Sequence, residues 1–238
     1  MRRFYASTEQ FQNAAVWLNV EETRHLRDVL RLKEGGKAQV FDGAGREFLC
    51  VIQSIGRNEA RLEIVEEITP SAAESPLNLT LAVALLKGEK FDLVVQKAVE
   101  LGVGELVPLN TKRSDVKLKD AAKKVERWRK IALEACKQSG RAKLMRIENP
   151  VDFGEYIETA AGAKILFAEC GGARFSAIEK SAQMTAVVGA EGGWESAEIE
   201  AARKNNFQII TFGGRILRAE TAAITVAAIL QNQFGDLN

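Results

Sequence analysis

From residue 77 to the C-terminus the chain alternates short apolar runs with stretches of helical period, and no other feature limits its fold so strongly. Residues 77–86, 106–109, 164–167, 184–188 and 207–212 are short apolar runs that read as buried strands. Residues 91–101, 119–139, 175–181 and 196–205 read as helices between them, and 216–234 closes the chain as an alanine-rich helix. In the 119–139 stretch Trp128, Ile131, Ala132 and Ala135 recur at i, i+3, i+4 and i+7, one apolar stripe, while Lys124, Arg127 and Lys130 lie off its centre. Strands that alternate with helices imply an α/β class with a mostly parallel sheet.

The chain before residue 69 is written differently. Residues 39–68 carry closely spaced turns, Gly43-Ala-Gly45 and Gly56-Arg-Asn58, between short alternating runs, the pattern of a small barrel or curled sheet. A helix over 22–32 should pack on it. Residues 69–76 hold two of the four prolines and no large apolar side chain, so they read as a linker between a first domain, 1–68, and a second, 77–238.

Two glycine-marked turns end the last strands of the second domain: Gly189-Ala-Glu-Gly-Gly-Trp194 and Gly213-Gly-Arg-Ile-Leu-Arg-Ala-Glu-Thr-Ala-Ala223. Such turns at the carboxyl ends of neighbouring strands form a crevice of backbone N–H and C=O groups that a small molecule can approach closely. Neither is a dinucleotide fingerprint, since no Gly-x-Gly-x-x-Gly follows a strand, and Gly35-Gly-Lys37 lacks the spacing of a phosphate loop.

Composition removes several chemistries. Cys50, Cys136 and Cys170 are distant and odd in number, which argues against a disulfide framework or a paired-cysteine metal site. His25 is the lone histidine and reads as a helix-surface or interdomain contact rather than a catalyst, so the usual hydrolase triads lack their base. No apolar run is long enough to span a membrane, and a soluble, cytoplasmic protein is expected. The net charge of +1 hides a basic stretch: residues 112–146 hold thirteen Lys and Arg against four Asp and Glu, a density suited to phosphate contact.

The two turns together, Gly189-x-Glu-Gly-Gly and Gly213-x-Arg-Ile-Leu-Arg-x-Glu-Thr-Ala, resemble the C-terminal signature of the SPOUT, or trefoil-knot, methyltransferases. The match is closest to the RsmE group, which methylates N3 of a uridine in 16S ribosomal RNA of the small subunit with S-adenosylmethionine. It extends over nearly the whole chain, through Met1-Arg-Arg-Phe-Tyr5, His25 with Val29-Leu-Arg-Leu32, Arg113-Ser114, Arg127-Trp128, Glu134-Ala135, Gln138-Ser139-x-Arg141 and Phe234-Gly-Asp236. Ala190 and Met145 stand where the group has proline, and Asp115, where it has an apolar residue, would set a carboxylate beside Arg113.

The resemblance implies a knotted C-terminal domain, a PUA-like N-terminal barrel and a homodimer formed through residues 222–230. It implies that Gly189, Ala190, Glu191, Gly192 and Gly193, with Phe212, Gly213, Ile216, Leu217, Ala219 and Thr221, hold the cofactor, and that Phe167, Ala168 and Glu169 supply a third wall. Arg2, Arg3, Arg31, Arg113, Lys124, Arg127, Arg141 and Arg215 are the expected RNA contacts, with the assembled small subunit as the expected partner, and no metal is required.

The reaction so implied is attack of a uracil nitrogen on a sulfonium methyl. N3 is a poor nucleophile while protonated, so a site must stabilise developing anionic charge, assist deprotonation, or both. Arg218 and Arg215 suit the first role; Glu220 or Glu191 suits the second, although Glu220 could equally orient Arg218 or cap the last helix. Methylation at another RNA position or on a ribose hydroxyl, and RNA binding without catalysis, remain open on the residues alone.

Overall fold

Residues 2–116 and 121–237 of a computed structural model describe the protein. The expected helix start at Lys119 and the motif residue Met1 lie outside them. The described chain divides into two units, Met1–Glu74 with Cys136–Leu144, and Ser75–Ala135 with Met145–Asn238.

In the first unit β1 (Arg3–Tyr5), β2 (Phe11–Gln12), β3 (Ala15–Leu18), β4 (Lys37–Phe41), β5 (Glu47–Ile55) and β6 (Ala60–Ile68) form a sheet ordered β1-β4-β5-β6-β3-β2. Only the β1–β4 pair is parallel. Register shifts at Leu49/Cys50 and Ile52/Ser54 bend the long β5–β6 ribbon, and the concave face closes over Phe4, Leu18, Val40, Ile52 and Leu62. The helix expected over 22–32 begins earlier, as α1 (Val20–Arg24), because Asn19 caps it by accepting from Glu22 N at 2.9 Å. It continues as a π-helical turn over His25–Val29 and stops before Arg31, whose φ of 51° no helix accommodates.

Two basic residues expected to contact RNA take part in this packing. Arg3 forks onto Glu47 at 2.6 and 3.2 Å, donates to the carbonyls of Cys136 and Arg141 at 2.9 and 2.7 Å, and lies 4.1 Å over the Phe41 ring. Arg141, also buried, forks onto Glu74 at 3.1 and 2.6 Å. Arg3 is held against a fully buried Glu47, so pulling it out would strand that carboxylate, whereas Arg141 is buried against a Glu74 that stays in contact with solvent. Glu74 and a bridge from Ala72 to Arg141 also fasten most of the 69–76 segment to the first unit.

The second unit is built on β7 (Asn78–Ala84), β8 (Glu105–Asn110), β9 (Arg146–Ile147), β10 (Val151–Asp152), β11 (Ala163–Ala168), β12 (Gln183–Val188) and β13 (Gln208–Thr211). The order is β10-β8-β7-β12-β11-β13, with β9 also on β8, and every pair is parallel. β7 and β12 are buried along almost their whole length, as strands covered on both faces must be. The helices are α2 (Lys90–Glu100), α3 (Ala121–Ser139), α4 (Phe153–Thr159), α5 (Ser196–Lys204) and α6 (Ala219–Phe234). In α3 the expected stripe is turned inward: Trp128 packs on Phe91 with ring centroids 4.4 Å apart and donates from Nε1 to Asp92 at 3.0 Å.

Three local expectations change. Residues 175–181 contain a single 3-10 turn, Phe175–Ala177, rather than a helix. The last helix starts at Ala219, not 216, because Arg218 keeps extended backbone at φ −64°, ψ 151°. The strands carrying the glycine turns are not neighbours: β11 lies between β12 and β13, so its own end becomes the floor between the turns.

Candidate cofactor and catalytic site

The carboxyl ends of β11, β12 and β13 open into a cavity of 390 Å³, within the size range of small-molecule sites. Phe167, Ala168 and Glu169 line it from β11; Gly189, Ala190, Glu191 and Gly193 from the first turn; and Phe212, Ile216, Leu217, Ala219, Arg215 and Arg218 from the second. Those residues were all expected in the site or beside it. Gly192, Gly213, Thr221 and Glu220 stand outside the lining, and Val188, Trp194, Gly214 and Ala222 join it unforeseen.

The first turn closes with a hydrogen bond from Gly193 N to Ala190 O at 3.0 Å, and Gly193 has a φ of 69°. Gly189 packs on Trp194 so closely that a Cβ would come 2.9 Å from the indole ring. That indole donates from Nε1 to the Phe167 carbonyl at 2.9 Å and packs against Phe153 at 4.8 Å, pinning the turn to β11. Arg113 supports the turn from behind: its guanidinium donates to the Gly192 carbonyl at 3.0 Å, and its Cβ lies 3.0 Å from where a Cβ on Gly192 would stand. Asp115 is not beside it in the pairing sense, because that carboxylate binds Lys87 at 2.7 Å, which holds it below the usual carboxylate range.

The second turn is open. Gly214 has a φ of 92°, and a Cβ at Gly213 or Gly214 would meet nothing within 4 Å, so both face free space. Ile216 is 79% exposed on the cavity rim. Phe212 stacks on Phe167 at 5.3 Å, with Phe175 completing an aromatic group below the rim. Burial pushes the Glu191 carboxyl up, but hydrogen bonds from Lys90 and its own backbone, with the charges of Lys90 and Lys87, outweigh it and leave the group below its ordinary range. The Lys90 ammonium lies 2.7 Å from Glu191 and 4.0 Å from Glu220. Glu220 thereby lies against Lys90 of α2 and is not part of the cavity lining.

The other expected RNA contacts belong to both units. Arg2, Arg31, Lys124 and Arg215 are exposed, while Arg127 is exposed but forks onto Asp92 at 2.9 and 2.5 Å.

A backbone-lined cavity at the ends of parallel strands, with two arginines on one wall, fits a bent nucleoside-like ligand beside a substrate that develops negative charge. Known proteins bear on this architecture directly. A model of the RNA methyltransferase domain matches residues 73–231, and one of the RNA methyltransferase PUA domain matches residues 18–65. The chain belongs to this family of RNA methyltransferases, with a SPOUT second unit and a PUA-like first one. It is 35% identical to Ribosomal RNA small subunit methyltransferase E of Synechocystis over 95% of this chain and 76% of that one. To the protein of the same name in Mesomycoplasma hyopneumoniae it is 33% identical, over 94% and 96%. The crystal structure of the Neisseria gonorrhoeae Ribosomal RNA small subunit methyltransferase E bound to S-adenosyl methionine superposes with a TM-score of 0.92 at 32% identity, covering 100% of both chains.

Proposed function

We propose that the protein transfers a methyl group from S-adenosylmethionine to N3 of one uridine of 16S ribosomal RNA. The observation that carries this is the joining of both glycine turns and the β11 end into one cavity, in a chain related over nearly its full length to small-subunit methyltransferases. The residues fit the cofactor. Backbone groups of Gly189, Ala190, Glu191, Gly193, Gly214 and Arg215 would hold its polar parts, and Leu217, Phe212 and Ile216 its adenine, while the cofactor supplies the activated methyl when bound.

This chain's residues do the rest. Arg218 and Arg215, exposed at the rim with guanidinium groups that stay charged, face the place where anionic charge would build on the uracil carbonyls. Of the two carboxylates considered as a base, Glu191 lines the cavity but is held ionised by Lys90, and Glu220 is not part of the lining. The stabilisation of charge by the arginines is therefore the larger share of this reading. Incubating the protein and labelled cofactor with small ribosomal subunits from a strain lacking the activity, then mapping the modified nucleotide by mass spectrometry, tests it. A label on a ribose hydroxyl or another base nitrogen would overturn the N3 assignment.

The RNA contact we propose runs through the exposed cations Arg2, Arg31, Lys124 and Arg215, with Arg127 sharing Asp92 and Arg113 bound to the turn. Replacing Arg31 or Lys124 with Gln should flatten the dependence of log K on log salt by roughly 0.7–0.9 for each phosphate that is no longer neutralised. An unchanged slope in both would remove these residues from the interface.

A homodimer belongs to the same reading. On α6, Ala222, Ile224, Thr225, Ala228 and Ile229 remain half-exposed although apolar or small, more than a single core-facing stripe requires. Light scattering should give twice the 26.1 kDa chain mass; a value of one chain mass at micromolar concentration would exclude it. Among the described residues no helix is long and apolar enough to cross a membrane, and the proposed ribosomal substrate places the protein in the cytoplasm.

A further inference from the structure

Lys90, Glu191 and Glu220 come from three separate elements: the first residue of α2, the first glycine turn, and the first turn of α6. The Lys90 ammonium donates to Glu191 Oε1 at 2.7 Å and lies 4.0 Å from Glu220 Oε2. That Glu220 oxygen is fully sheltered and has no hydrogen-bond partner among the described residues, and the side chain is only 12% exposed. Lys90 is thus the nearest cation to an enclosed carboxylate, and the same ammonium holds the turn opposite. Glu220 follows Arg218 by two residues, and Arg218, Ala219 and Ala222 all line the cavity that Glu220 itself does not reach.

We propose that Lys90 is a positioning residue of the cofactor site, a single cation shared by Glu191 and Glu220 that sets the distance between the first glycine turn and the start of α6. The inference rests on the cofactor reading above. Without the ammonium, the sheltered Glu220 oxygen has no counter-charge and the two carboxylates repel across the cavity edge, so the first turn and the start of α6, which bears Arg218, move apart.

The sign of the effect separates this role from simple electrostatics. S-adenosylmethionine is a net cation, so deleting a nearby positive charge without moving the walls would tighten its binding. A loss of spacing weakens it. Lys90→Met should therefore weaken S-adenosylmethionine binding about tenfold in calorimetry, while the ligand-free protein stays folded with a melting midpoint lowered by about a few degrees, since the sheltered Glu220 carboxylate loses its nearby cation. Lys90→Arg, which keeps the charge and can reach both carboxylates, should bind within about threefold of the parent. In a Glu220→Gln background the Lys90→Met cost should shrink, because one of the two shared anions is already gone.

Binding by Lys90→Met that is unchanged or tighter, or costs that add fully across the Glu220→Gln cycle, would overturn the proposal. The parent protein runs in the same calorimeter. If the parent fails to bind, the cofactor reading itself falls, whereas a parent that binds beside an unaffected Lys90→Met discards only the role of Lys90.

Discussion

An Arg218→Ala protein is expected to lose about 10²–10³-fold in single-turnover methylation while folding and binding cofactor nearly as the parent does. The structure separates these properties at this residue. Arg218 is the N-cap of α6, yet it caps through backbone alone: its carbonyl accepts from Ala222 N at 2.8 Å, and its side chain makes no cap hydrogen bond. Removing the guanidinium therefore costs the helix nothing that alanine lacks. The side chain is exposed on the cavity wall, where its charge is worth most when anionic character develops on the uracil, so the loss should fall on the rate rather than on ground-state binding. Arg218→Lys should recover only part, lacking the planar fork that can meet a carbonyl and the deprotonating nitrogen together. Calorimetry with S-adenosylmethionine beside single-turnover kinetics checks both halves. Near-parental turnover in Arg218→Ala would show that the charge-stabilising group lies elsewhere.

Much of the site was legible because its parts are local in sequence. Each glycine turn follows an apolar strand directly, and glycine pairs at such places report on backbone that approaches a ligand or another chain segment. Continuous apolar runs and period-3.6 patterns likewise located most strands and helices of the second unit. What stayed hidden was set by contacts distant in sequence. β11 sits between the strands that carry the turns, and pairing order leaves no trace in the pattern of any one strand. Lys90 meets Glu191 across 101 positions, and Arg3 meets the Cys136 carbonyl across 133. A basic residue near a terminus looks available for phosphate until the fold shows Glu47 enclosed beside it. Residues 153–159 gave too short an apolar pattern, with a glycine inside, to announce α4. The helical reading of 175–181 failed for the opposite reason, since a period fitting a few residues cannot distinguish one 3-10 turn from a helix.

Gly214→Val should abolish detectable S-adenosylmethionine binding and leave the fold standing, the reverse of the Arg218→Ala result. The family resemblance implies a cofactor contact at Gly213 and none at Gly214, but Gly214 is the residue that lines the cavity and holds a φ of 92°. A β-branched residue is strained at that dihedral and would reshape the turn, and its side chain would project into space that is otherwise free. Both effects act on the wall that carries Arg215, Ile216 and Leu217, so cofactor and catalytic contacts are displaced together. The turn is exposed and packs against nothing at this position, which confines the damage: the thermal midpoint of the ligand-free protein should fall by only a few degrees, as roughly 1–3 kcal/mol of local strain can relax into solvent-facing backbone. Gly213→Ala, at a residue without positive φ and with open space around its Cβ, should bind within a few-fold of the parent and serves as the control. If Gly214→Val binds cofactor normally, the second turn is not a wall of the cofactor site and the methyl donor must enter from elsewhere.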